Sequence, residues 1–298
     1  MPYLWATQEP EIPDEAMQAE AARVQAELAA IEAVGDEKAC RICGGPDLTE
    51  EHTPSRKAGN PSRIVQGSID YDESVRRGAL TWEMELIQGG AKSRALCETC
   101  NNRTGRWYNP AYIRLVKHCE PFATLANVGT MCDIQVAIHP QRVAKQALTT
   151  LLATSQPGVA ARFPHIRRLL LDAEERGSLA PLRLGLFVRA NGGGRPTAIT
   201  LKLNLERRAA RLIAEFSFWP LGWLLTFDDQ PVEGTLDVSG WTEYGYHEKV
   251  DLQAQVPCQW AFWVYPAQFG PAPSILQEEY AAARRRAGGA SLWARLPG

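Results

Sequence analysis

Two Cys-x-x-Cys pairs are the residues of this sequence whose types and spacing point most directly to chemistry. Cys40 and Cys43 lie in "ACRICGGPD", and Cys97 and Cys100 lie in "CETCNNRTGRWY". One such pair is typical of either a redox dithiol or half of a metal site. Two pairs with the same spacing favour the metal site, because four thiolates close a tetrahedral zinc centre. The sequence therefore predicts a structural zinc ion bound by these four cysteines.

Groups that could hydrolyse a phosphodiester lie around the pairs. Such a reaction needs a base that activates water, and a divalent ion with open positions that stabilises the developing charge. Glu51 and His52 are adjacent in "LTEEHTPSRKAGN", and Asn101 directly follows the second cysteine pair. Neighbouring residues of a strand point to opposite faces, so Glu51 and His52 need a bend or bulge to serve one site.

In this order, the motifs resemble the HNH endonucleases, and in particular their zinc-bearing branch with a ββα-metal core, which includes phage recombination endonucleases. The resemblance covers residues from about 38 to 108, about a quarter of the chain. It implies structural zinc at the four cysteines, His52 as the general base, and Glu51 and Asn101 as ligands of a catalytic magnesium or manganese ion. The implied substrate is DNA.

The sequence departs from the family pattern at several places. Glu51 stands where the family usually has aspartate, and the proline that usually follows the histidine by three residues follows His52 by two, as Pro54. The middle asparagine is missing from "QGGAKSRALC", so that Gln88 or backbone groups would have to replace it. The long interval before the second cysteine pair implies an inserted loop over residues 63–88.

Several residues near these motifs are candidates for binding nucleic acid. The net charge of the chain is −2, so any such contact must be local. We expect four basic residues to contact DNA phosphates: Arg56, Lys57, Arg103 and Arg106. Trp107 and Tyr108 either stack on bases or belong to the core. Asn102 is the alternative to Asn101 as metal ligand.

The elements that must position these residues indicate an α+β fold in three parts. Residues 1–35 are predicted to form an amphipathic helix, residues 36–118 a zinc-bound HNH nuclease domain, and residues 119–298 a mixed α/β domain. The helix carries an apolar stripe with helical spacing: Met17, Ala21, Val24, Leu28 and Ile31. This stripe docks either on its own protein or, as the alternative, on a partner or a second copy.

In the third part, helical patterns over 141–155 and 163–178 precede strand-like runs at 182–190, 197–205, 209–219, 221–228, 234–240 and 258–266. Residues 274–286 are predicted to be helical. Its tryptophans are expected in a core, and Cys119, Cys132 and Cys258, which lack paired spacing, are expected to be buried as small apolar residues.

No long apolar run or secretory signal is evident, so we expect a cytoplasmic protein without membrane contact. The family also includes regulated effectors of bacterial anti-phage defence, which join such a nuclease to a sensing domain. This analogy makes residues 119–298 a regulatory or targeting domain with an activating ligand. The alternative is a non-catalytic, zinc-stabilised nucleic-acid-binding or interaction protein, in which Glu51 and His52 are structural.

Overall fold

The structure is a computed structural model, and it combines helices with antiparallel sheets. It describes residues 15–60, 63–70, 81–88, 90–190, 194–204 and 209–259. Within these ranges it contains six α-helices, two two-stranded sheets and one seven-stranded sheet. The α+β class predicted from the sequence is therefore confirmed.

The cysteine-rich segment forms two strands followed by a helix. Strand β1 (Leu48–His52) pairs antiparallel with β4 (Lys92–Cys97), and helix α2 (Glu98–Trp107) begins at the next residue. The expected inserted loop is instead an antiparallel hairpin of β2 (Arg63–Asp70) and β3 (Thr81–Gln88). This hairpin lies between β1 and β4 in sequence. It therefore lengthens the connection between these two strands, which still pair with each other.

The helix and the strand that follow α2 have no counterpart in the sequence prediction. Helix α3 (Asn109–Leu125) runs through position 118, where the boundary between the second and third parts was drawn, and its apolar face is buried. Strand β5 (Met131–Ile138) follows it. The cysteine-rich segment thus continues into the third part along a single helix.

Three helices follow β5 in the third part, and the first of them packs on the large sheet. Helix α4 (Pro140–Thr154) is buried over most of its length, and α5 (Val159–Arg162) and α6 (Pro164–Leu171) follow. The predictions at 141–155 and 163–178 thus correspond to α4 and α6. Helix α6 ends earlier than its pattern suggested.

A buried lysine explains the early end of α6. The Lys145 ammonium donates to the carbonyls of Asp172, Ala173 and Glu175 at 2.9, 3.1 and 2.7 Å. These carbonyls are therefore unavailable to a continuing helix. Lys145 is fully buried, and burial lowers its pKa to about 8.

The large sheet has the strand order β5-β11-β6-β9-β8-β7, with β10 beside β6. Its remaining strands are β6 (Arg183–Arg189), β7 (Gly194–Asn204), β8 (Ala209–Phe218), β9 (Leu221–Thr226), β10 (Leu236–Asp237) and β11 (Val250–Gln259). Strands β11 and β6 are parallel, whereas the other pairs are antiparallel. Every predicted run up to residue 240 overlaps one of these strands, whereas the run at 258–266 overlaps only the last two residues of β11.

Helix α1 (Glu15–Ala33) packs with its stripe toward the body of the protein. Met17, Val24 and Ile31 are buried, and Ala21 and Leu28 pack against the same core. The backbone approach is close at the end of the helix, where a Cβ on Gly158 would lie 2.0 Å from the Ile31 carbonyl oxygen. The stripe therefore docks on its own protein, which was the first of the two alternatives.

One apolar core runs through all three parts. It joins Val24 of α1, Leu96 next to the cysteines, and Trp223 of the sheet. The Trp223 indole donates to the Tyr112 hydroxyl of α3 at 3.1 Å. The three unpaired cysteines are buried, as predicted: Cys119, Cys132 and Cys258.

Residues 260–298 lie outside the described residues, and with them the predictions for Trp260, Trp263 and the helix at 274–286. Among the helices that are described, none combines the length and apolar character required to span a membrane.

Candidate metal centre and adjoining cleft

The first cysteine pair lies in a tight knuckle. The Cys40 amide donates to the Gly45 carbonyl at 2.7 Å, and the Gly44 amide donates to the Cys40 carbonyl at 2.8 Å. Gly44 has a φ of +76°, a conformation in which glycine carries no steric penalty. The Gly45 amide points at the Cys43 sulfur, 3.3 Å away. This turn brings both sulfurs to one side of the backbone.

The four cysteine sulfurs converge. Each Sγ lies within 4.8 Å of the other three, and Cys43 Sγ is 3.6 Å from Cys97 Sγ. A Zn–S bond of about 2.3 Å in a tetrahedron gives an S–S separation of about 3.8 Å, so the donor set fits zinc. The cluster can bind a metal ion such as zinc. Four protein ligands would leave no open position on a zinc ion, as in structural zinc sites.

The thiols perturb one another strongly. The Cys100 thiol hydrogen-bonds to Cys40, and this bond holds the pKa of Cys40 well below its usual range. The same bond raises the pKa of Cys100. A bound zinc ion would displace the protons of these thiols, since metal binding to thiols releases protons.

Beyond the cysteines, β1 contains the irregularity that Glu51 and His52 need to serve one site. Leu48 pairs with Cys97 and Glu51 pairs with Ser93, but the register shifts between Thr49 and Glu51. A bulge of this kind re-aims side chains. Both Glu51 and His52 line a single cleft in the structure.

Glu51 forms the buried wall of this cleft. Glu51 is only 8% exposed, and its Oε1 accepts a hydrogen bond from the Ser93 hydroxyl at 3.0 Å. The Ser93 hydroxyl is also 2.8 Å from that of Thr53. Burial raises the pKa of Glu51 to about 7, against the opposing effect of the Ser93 hydrogen bond. A cation beside this carboxylate would stabilise its charged form.

His52 lies at the end of β1 with one ring nitrogen hydrogen-bonded. The Arg56 guanidinium donates to Nε2 at 3.0 Å, which places the ring hydrogen of neutral His52 on Nδ1. Nδ1 is buried and has no partner among the residues that the structure describes. Burial, and then the charges of Arg56 and Lys92, hold the pKa of His52 below its usual range. His52 is therefore neutral at pH 7, as a general base must be.

Asn101 faces the same cleft from helix α2. It is half-buried, and no hydrogen bond of its side chain is found within the described part of the chain, whereas its neighbour Asn102 is exposed and does not line the cleft. The cleft is open to solvent. Its wall is formed by Glu51, His52, Thr53, Ser55, Leu96, Asn101, Thr104, Gly105, Asn109, Gln146, Thr149, Thr150 and Ala153.

The four basic residues expected to bind DNA are all exposed: Arg56, Lys57, Arg103 and Arg106. Within the described ranges, none of them pairs with a carboxylate. Arg56 reaches the cleft through His52, whereas the other three do not line it. Tyr108 is buried and donates its hydroxyl to the Leu170 carbonyl at 3.1 Å, so the core alternative holds for this residue.

Asn60 braces the hairpin insertion, and sequence reasoning missed it. Its side chain donates to the carbonyls of Pro54 and Ala91 at 2.7 and 2.8 Å, and it accepts from the Ala91 amide at 2.8 Å. Asn60 precedes the β2–β3 hairpin, whereas Ala91 follows it, so the contact joins residues 31 positions apart in sequence. The side chain of Gln88, the residue expected to replace the missing middle asparagine, lies outside the described residues.

We expect Asn60→Ala to destabilise the protein while zinc stays bound. The substitution leaves the Pro54 carbonyl and the Ala91 amide without partners, whereas the Ala91 carbonyl still accepts from the Thr53 amide. Each unsatisfied buried group costs about 1–3 kcal/mol. Chemical denaturation should therefore show a fall of several kcal/mol, whereas Asn102→Ala at an exposed position should change little. Equal stability of the two variants would contradict the bracing role.

The large sheet's helix α4 supplies a further part of the cleft wall, through Gln146, Thr149, Thr150 and Ala153. No motif marks these residues, since their role depends on how α4 packs against β4 and α2. The periodicity of α4 predicted a helix but not the partner of its second face.

Comparison of the chain with protein-family models, with curated proteins and with solved structures finds no match.

Proposed function

We propose that this protein is a metal-dependent endonuclease of the HNH type that hydrolyses DNA phosphodiester bonds. The observation that carries the proposal is the convergence of Glu51, His52 and Asn101 on one cleft, next to the four-cysteine cluster. A carboxylate, a neutral imidazole and an amide oxygen are the groups that such hydrolysis requires. Exposed basic residues close to these groups fit a polyanionic substrate.

The donor groups fit a divalent cation such as Mg²⁺ or Mn²⁺. Glu51 and Asn101 would hold it through carboxylate and amide oxygens, the ligands that hard cations prefer. The ion, when bound, stabilises charge that develops on the phosphate. Glu51 suits this role because its buried carboxylate forms no ion pair within the described residues, although it accepts hydrogen bonds from the Ser93 hydroxyl and the Ala95 backbone.

In this mechanism, His52 removes a proton from the attacking water. Its Nε2 lone pair is the available base, since the hydrogen of the neutral ring is on Nδ1. Arg56 occupies that lone pair in the absence of substrate. An incoming phosphate attracts the guanidinium more strongly than a neutral imidazole does, so substrate binding would free the base and place Arg56 on the phosphate.

The zinc cluster would hold this arrangement in place. Cys97 is the residue immediately before α2, and Asn101 lies in the first turns of that helix. Cys97 also pairs with Leu48 at the start of β1, the strand that carries Glu51 and His52. Zinc would thus fix both sides of the cleft from one end.

We further propose that residues 119–298 regulate DNA cleavage, as in an effector of anti-phage defence. The observation in its favour is that α4, which packs on the large sheet, also lines the cleft. A ligand that shifts α4 would change the cleft directly.

The rival function is a zinc-stabilised nucleic-acid-binding or interaction protein without catalysis. Supercoiled plasmid incubated with zinc-replete protein distinguishes the two. With Mg²⁺ or Mn²⁺ the proposal predicts nicked and linear products that EDTA suppresses. Binding of plasmid or oligonucleotides with no cleavage in either metal, over several DNA forms, would favour the rival.

Asn101→Ala should shift the metal dependence of cleavage. We expect the variant to need more Mn²⁺ for half-maximal rate, because one oxygen ligand is lost, while the four thiolates keep their zinc. Asn101→Asp should be milder, since a carboxylate oxygen binds hard cations well. The neighbouring Asn102→Ala is the matched control. An unshifted Mn²⁺ titration for Asn101→Ala would remove this residue from the ligand set.

A further inference from the structure

Helix α4 places one unpaired polar atom at the cleft. Gln146 lines the cleft, and its Oε1 is buried with no hydrogen-bond partner among the described residues. Buried polar atoms are nearly always hydrogen-bonded, so an exception at a cleft suggests a partner that arrives with a ligand.

The orientation of the Gln146 carboxamide follows from its neighbour. The Thr150 hydroxyl donates its hydrogen to the Gln146 main-chain carbonyl at 3.0 Å, which leaves only lone pairs on Thr150 Oγ1. The group that faces Thr150 at 3.4 Å must therefore be the donor, Nε2. Oε1 is then the atom directed away from Thr150.

The two threonines of this wall use their hydroxyl hydrogens within the helix. Thr149 donates to the Lys145 carbonyl at 2.8 Å, and Thr150 donates to Gln146 as described. Among the described residues of α4 at the cleft, Gln146 is thus the one with a buried side-chain oxygen that has no hydrogen-bond partner. This oxygen would accept a hydrogen bond from a donor in the cleft.

We infer that Gln146 is a further residue of the divalent-ion site, with its amide oxygen accepting a hydrogen bond from the hydration shell of the cation. The inference rests on the proposed function. Mg²⁺ and Mn²⁺ sites of this kind retain several waters, which are strong donors and need acceptors around them. Glu51 and Asn101 provide acceptors on two sides of the cleft, and Gln146 provides one on the side of α4.

Gln146→Leu tests the inference by removing the amide at nearly constant volume. Mn²⁺ binding to zinc-replete protein without DNA is measured by calorimetry and by the loss of the free-Mn²⁺ electron paramagnetic resonance signal. We expect the dissociation constant to rise about 10–100-fold, the usual effect of removing an outer-sphere partner. Gln146→Glu retains an acceptor and should bind Mn²⁺ at least as tightly as the wild type.

Gln141→Leu is the matched control. Gln141 lies on the same helix, is fully buried and also has an unpartnered Oε1, but it does not line the cleft. Its Mn²⁺ affinity should equal that of the wild type. An unchanged Mn²⁺ affinity of Gln146→Leu would overturn the inference. An equal loss of Mn²⁺ affinity in both variants would also overturn it, because that result would indicate a general effect on α4.

Glu51→Gln separates this inference from the proposed function. If wild-type Mn²⁺ binding depends on Glu51 but not on Gln146, the outer-sphere role fails and the nuclease site stands. If Glu51→Gln binds Mn²⁺ as tightly as the wild type, the proposed ion site itself is overturned, and the inference with it.

Discussion

His52→Ala is expected to lower the rate of DNA cleavage by about 10²–10⁴-fold, the usual contribution of a positioned general base. The fold should survive, because His52 is half-buried at the end of β1 and its described side-chain hydrogen bond is to the exposed Arg56. Zinc content should not change, since all four thiolates remain. The rate of plasmid nicking at saturating Mn²⁺ measures the effect.

The control for this substitution is His139→Ala. His139 is also half-buried, but it lies outside the cleft, where its ring contacts the Glu248 carbonyl at 2.9 Å. We expect this variant to cut at nearly the wild-type rate. A His52→Ala variant that cuts as fast as His139→Ala would exclude His52 from the mechanism.

Cys97→Ser is expected to abolish zinc binding and with it the cooperative folding of the region around the cleft. Binding of structural zinc contributes folding free energy directly, with apparent values of about 10–16 kcal/mol in zinc-finger peptides. Cys97 also precedes α2 and pairs with Leu48, so the loss affects both sides of the cleft. Metal analysis should show less than one zinc per chain, and thermal unfolding should shift sharply downward.

Cys119→Ser provides the comparison, because Cys119 is fully buried but lies outside the four-cysteine cluster. It should lose some stability through burial of a hydroxyl, while one zinc per chain is retained. If intact wild-type protein contains no zinc, or if Cys97→Ser retains it, the assignment of the cluster would be wrong.

Local patterns in the sequence were sufficient for the cysteine cluster and for most of the strands. The two Cys-x-x-Cys pairs have a spacing that only a shared metal explains well, and the sulfurs do converge. Strand β5 was missed although "MCDIQVAI" alternates between exposed and buried residues at its start. Helix α3 was missed because the boundary was placed where the cysteine-rich motif ended, and Pro121 interrupts its helical pattern.

The cleft could be predicted only in part, for a physical reason. Glu51, His52 and Asn101 lie next to motifs, so adjacency in sequence indicated adjacency in space. Asn60 and Gln146 take part through tertiary contacts, one by closing the base of an inserted hairpin and the other by the packing of α4. Neither contact leaves a local pattern of residue types, so no spacing rule identifies it.

The most direct test of the central claim, that Glu51 and His52 act in one metal-dependent catalytic centre, is a comparison of plasmid-nicking rates in Mn²⁺. The zinc-replete wild type, Glu51→Gln, His52→Ala and the double variant are measured together, with and without EDTA. Residues that act as a unit are not additive, so the double variant should be about as slow as the slower single variant. A wild type that cuts in neither Mg²⁺ nor Mn²⁺, or nicking that persists in EDTA and in all variants, would contradict the account.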